Sequence, residues 1–77
     1  MKVELESTTK IVELVINERL VPARIWEGKT ASGIDVHAYI TRIAAPDVAD
    51  LYEFDRELQA HRPPSPALDG IPLRVTL

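Results

Sequence analysis

Between Ile34 and Ile43 the chain alternates in steps of two. Ile34, Val36, Ala38 and Ile40 fall on one side, and Asp35, His37, Tyr39 and Thr41 on the other. That period belongs to a β-strand with one face turned to a core, so this segment demands a sheet. The first half of the chain supplies one. Val3 and Leu5 alternate with Lys2, Glu4 and Glu6, and Ser7-Thr8-Thr9 marks a bend. Lys10 to Ile16 is a β-branched run suited to burial on both faces. After a turn at Asn17-Glu18-Arg19, Leu20 to Glu27 reads as a strand whose first half Pro22 confines to an edge or a bulge.

One helix follows. Pro46 and Asp47 suit its first turn, and Val48, Leu51, Phe54, Leu58 and His61 recur at three- and four-residue steps as an apolar stripe for the sheet. It must end by Arg62, because Pro63-Pro64-Ser65-Pro66 is a stiff connector that no helix continues through. Leu68-Asp69-Gly70 turns the chain into a last alternating strand, Ile71 to Leu77. The expected fold is α+β: a single domain over residues 1–77, a small antiparallel sheet of three to five strands on one amphipathic helix, in the order β-β-β-(β)-α-β.

Ala23-Arg-Ile-Trp-Glu-Gly-Lys-Thr30 matches the loose pattern of a phosphate-binding loop. Such a loop needs small residues whose N–H groups wrap a phosphate, followed by a helix. Here the variable positions are Arg24, Ile25, Trp26 and Glu27, and Gly33 breaks any helix after Thr30. The segment reads as a β-hairpin with its loop at Gly28–Gly33, and no nucleotide site is expected. Closed symmetrically, the hairpin pairs Glu27 with Ile34 and Ile25 with Val36. Arg24, Trp26, Asp35, His37 and Tyr39 then share one face, rich in the residue types that anchor interfaces, as a partner or dimer surface. An amphipathic outer face with Trp26 partly covered by the connector is the plainer reading.

Charge is uneven. Asp47, Asp50, Glu53, Asp55 and Glu57 lie against one base, Arg56, while the remainder of the chain is nearly balanced. With no basic stripe, direct nucleic-acid binding is not expected. Asp50, Glu53 and Glu57 fall on one helix line, with Arg56 expected to turn away from it. With Asp47 they form either a solvated face or a row of carboxylates for a cationic partner surface.

The two histidines sit on different elements, so no metal or other cofactor is expected, and the Asp35–His37 pair lacks a nucleophile. Without cysteine, and with only about 60% of its unfolded surface to bury, a domain this short often gains stability by self-association. No apolar run reaches bilayer length and no signal-peptide core opens the chain, so a cytoplasmic protein without a membrane partner is expected.

Val21 to Ile43, with the Met1–Ser7 opening and the Ile71-Pro72-Leu73-Arg74 ending, resembles short bacterial and prophage-encoded proteins without assigned activity. Within that class the chain is similar to anti-CRISPR proteins acting on type I effector complexes. The resemblance implies a non-enzymatic, phage-encoded inhibitor in the host bacterial cell that blocks an effector subunit's DNA-binding surface. It carries no catalytic residues. The alternative is a structural or regulatory subunit whose main interaction is homodimerisation through its sheet.

Overall fold

The structure, a computed structural model, describes residues 1–47, 50–66 and 74–76. Strands β1 (Val3–Ile16), β2 (Arg19–Thr30) and β3 (Asp35–Ile40) form an antiparallel meander, followed by helix α1 (Leu51–Leu58) and strand β4 (Arg74–Thr76). The sheet order is β3-β2-β1-β4, and β4 runs parallel to β1. The sheet is therefore mixed rather than purely antiparallel. A chain that leaves β3 at one edge and crosses by way of α1 to the other edge arrives in the direction of β1. Of the expected final strand, Ile71–Leu73 and Leu77 lie outside the described residues, as do Val48 and the Leu68–Gly70 turn.

Asn17 and Glu18 alone make the first hairpin turn, at φ 50° and 64°, with Ile16 paired to Arg19. Two positive φ angles match the right-handed twist of the flanking strands. The Ser7-Thr8-Thr9 bend is a bulge inside one long strand. Ser7 pairs with Trp26 and Ile11 with Arg24, leaving three residues opposite Ile25 alone. Its backbone is fastened on both sides. The buried Thr8 donates its hydroxyl to the Ile25 carbonyl at 2.7 Å and accepts the Lys10 N–H at 3.2 Å. Arg24 Nη1 donates to the Thr8 carbonyl at 2.8 Å. On the far side, Thr9 N–H reaches the Arg62 carbonyl and Arg62 N–H reaches the Ser7 carbonyl.

Register in the second hairpin differs from the symmetric closure. Glu27 pairs with His37, not Ile34, and Trp26 with Ala38. Lys29 and Thr30 belong to β2, and the loop is Ala31–Ile34, held by Gly33 N–H on the Thr30 carbonyl with Gly33 at φ 89°. Gly28 is a strand residue paired with Leu5 and Val36, and it must be glycine because a Cβ there would lie 1.6 Å from the Glu4 carbonyl oxygen. The three-residue offset is odd, so it turns β3 over relative to β2. Arg24 and Trp26 share a face with Val36, Ala38 and Ile40. Asp35, His37 and Tyr39 lie on the opposite face, with Ala23 and Ile25.

That second face holds the core. Val12, Leu14, Ala23 and Ile25 are buried, with Ile16 and Tyr39 packed against them. Helix α1 starts later than Pro46–Asp47 suggests. Asp50, in an extended conformation, caps it by accepting the Glu53 N–H at 3.0 Å. Its stripe only partly meets the sheet: Phe54 and Leu58 are half-buried, Leu51 is exposed, and no residue of α1 is buried. His61 lies beyond the helix rather than at its last turn. Among the described residues, no helix is long and apolar enough to cross a membrane.

Candidate functional site

Between α1 and the Arg24–Trp26 face of the sheet lies a cleft of about 650 Å³. Arg24, Trp26 and Ile40 form its sheet side, and Phe54, Glu57 and Leu58 its helix side. Thr41–Ile43 and Gln59–Arg62 close the ends. The strand period sets Trp26 and Ile40 on one surface, and the helical spacing of Phe54 and Leu58 turns both toward it. All four side chains are only half-buried.

The Gln59–Arg62 end is fastened by hydrogen bonds. His61 Nδ1 lies 2.8 Å from Ser7 Oγ, and that hydroxyl donates to the Ala60 carbonyl at 3.2 Å. With the Ser7 proton on Ala60, His61 Nδ1 takes the donor role toward Ser7. The pair is a tether. Arg62 then stands between two carboxylates that β-pairing places opposite each other. Its Nε is 3.3 Å from Glu6 and its Nη1 3.3 Å from Glu27. Ser65 completes the anchor, giving Glu27 its N–H at 2.8 Å and its hydroxyl at 2.6 Å. Partial burial pushes the Glu27 pKa up, but the Ser65 donors and the Arg62 charge outweigh it and hold the carboxyl below its ordinary value.

The five residues expected on one sheet face are thus divided. Arg24 and Trp26 line the cleft, with one Arg24 nitrogen committed to the bulge. On the core face, Asp35 is ion-paired with Lys29. His37 Nε2 sits 3.0 Å from Tyr39 Oη, and the rings meet edge to face at 5.4 Å. His37 therefore pairs with Tyr39 rather than with Asp35.

The acid row is also divided. Asp50 is the helix cap. Arg56 does not turn away: its Nε donates to Glu53 at 3.0 Å and its Nη2 bonds the second carboxylate oxygen. That bond lowers the Glu53 pKa and raises that of Arg56. Glu57 faces the cleft, and Asp47 is exposed on the turn before the helix.

The phosphate-loop match lies wholly within β2. Its neighbouring N–H groups are already bonded, Thr30 to the Ile34 carbonyl and Ala31 to the Lys2 carbonyl. Among the described residues, no group of three or more His, Asp or Glu side chains could hold a metal. Ile40, Arg42, Ile43, Phe54 and Leu58 are cleft residues that the sequence reading did not assign to a site. The stripe spacing of Phe54 and Leu58 was the one signal for them. Compared with family models, curated proteins and solved structures, the chain has no significant match.

Proposed function

We propose that this is a non-enzymatic protein-binding module whose partner seats in the cleft between α1 and the Arg24–Trp26 face. One observation carries the reading: Trp26, Ile40, Phe54 and Leu58 converge on a single cleft, yet none is buried. An apolar floor with a few polar groups at its margin, here Arg24, Arg42 and Glu57, is the usual make-up of a binding site. The surface also continues beyond the cleft. Tyr52 is 82% exposed and Leu51 48%, on the helix that forms one wall, which favours a macromolecular partner over a small ligand.

The resemblance to phage-encoded inhibitors narrows the partner to a subunit of a type I CRISPR effector, approached at its cationic, DNA-reading surface. In that form the contribution of the acids rests on Asp47, Asp55 and Glu57, because Asp50 and Glu53 already serve the helix. Binding of a purified type I effector to the immobilised protein tests both layers. The reading expects capture that Trp26→Ala weakens at least roughly tenfold, as loss of an aromatic anchor does. Asp47→Lys with Glu57→Lys should weaken it by less than Trp26→Ala does, and flatten its salt dependence. No capture by the unaltered protein sinks the effector reading. Capture indifferent to Trp26→Ala sinks the cleft.

A further inference from the structure

β3 is an edge strand of the sheet, opposite β4, and among the described residues it pairs only with β2. The direction of its backbone groups follows from the loop. Thr30 N–H bonds to the Ile34 carbonyl at 2.9 Å, so Thr30 and Ile34 are a hydrogen-bonded pair. Such pairs recur at every second residue of an antiparallel ladder. Val36, Ala38 and Ile40 therefore spend their N–H and C=O groups on β2. Those of Asp35, His37 and Tyr39 point outward.

Two other stretches of edge in this sheet are managed. The outer side of β1 is occupied by Arg62 at Thr8 and by β4 at Glu13–Val15. Where β2 extends past the end of β3, Pro22 stands at the edge and removes a donor. Asp35 to Ile40 carries none of the usual protections: no proline, no lysine, no bulge. Its one charge, Asp35, is at the end and is held by Lys29.

We propose that β3 pairs edge to edge with β3 of a second copy of this chain, antiparallel about a two-fold axis near Ala38. The pairing sets His37 opposite Tyr39 of the other copy and Val36 opposite Ile40, so apolar meets apolar on one face and ring meets ring on the other. No like charges face each other. That is the argument for a second copy in an acidic chain: two such molecules can meet along this strip, and a two-fold closes there without leading to a fibre. The pairing shares Ile40 with the cleft, while Trp26, Phe54 and Leu58 lie off the β3 edge.

Amide exchange of the unaltered protein, measured at low and high protein concentration beside sedimentation equilibrium, tests this. The expected result is a monomer–dimer equilibrium. His37 and Tyr39 amides should gain roughly tenfold or more protection at the high end, with Val36 and Ala38 protected throughout. His37→Pro removes an outward donor and no bond to β2, so it should give a folded monomer. A monomer at every concentration overturns the proposal, as does dimerisation that leaves the His37 and Tyr39 amides unprotected. Protection that appears only when a different protein is added also overturns it.

Discussion

Ser65 places both its backbone N–H and its hydroxyl on the Glu27 carboxylate, at 2.8 and 2.6 Å, joining residues 38 apart in sequence. This contact decides where the chain goes after the helix. Pro63 and Pro64 make the connector stiff, and Glu27 and Arg62 give it a fixed landing point on the sheet. With Ser7 and His61 holding the preceding residues, the end of the cleft is set by the sheet itself.

Glu27→Gln should destabilise the protein by about 2 kcal/mol, the range for hydrogen bonds to a charged acceptor. Because the folded pKa of Glu27 lies below its ordinary value of 4.5, its contribution is complete above that pH and is lost as pH falls through the folded value. Thermal melts at a series of pH values should show a fall in stability below about pH 4.5. The fall should be smaller in Glu27→Gln.

Thr8 is fully buried inside the bulge and satisfies two backbone groups with one hydroxyl. Thr8→Val keeps the volume and removes the donor to the Ile25 carbonyl and the acceptor of the 3.2 Å bond from the Lys10 N–H. The expected loss is about 1–3 kcal/mol in denaturant unfolding with an unchanged slope.

Glu18 holds φ 64° in the first turn, where a residue with a Cβ is strained. Glu18→Gly makes the turn Asn-Gly, the preferred pair for this geometry. Unlike most strand-end glycines it should stabilise the protein, by about 1 kcal/mol, read as a raised denaturation midpoint.

Gly28→Ala should act in the opposite direction and more strongly. The new Cβ would meet the Glu4 carbonyl at 1.6 Å, which is backbone and cannot swing aside. The start of β1 must leave β2, so amides from Val3 to Ser7 should lose their exchange protection while Val12 and Leu14 keep most of theirs.

The strands were legible where periodicity speaks. Ile34–Ile43 alternates, and β3 lies there; Pro22 was read as marking an edge or a bulge, and it stands where β2 runs past the end of β3. Register was not legible, because two glycines compete for the loop. Only Gly33 needs a positive φ, while Gly28 is glycine for close strand approach. Taking both into one six-residue loop moved three of five proposed surface residues to the wrong face. Two misses had signals in the sequence. Asp50-Leu-Tyr-Glu53 has the spacing of a capping box, and Glu53 to Arg56 is an i,i+3 ion pair. The cleft had almost none, since it depends on how the chain crosses the sheet after β3.

The measurement closest to the central claim is the binding affinity of one purified type I effector for four versions of this protein: unaltered, Trp26→Ala, Phe54→Asp and Asp47→Lys with Glu57→Lys, each first shown to be folded. The cleft account predicts that Trp26→Ala and Phe54→Asp each lose roughly tenfold or more, and that the double lysine variant loses less than either. Cleft variants that bind like the unaltered protein, with the loss confined to the lysine variant, would contradict it.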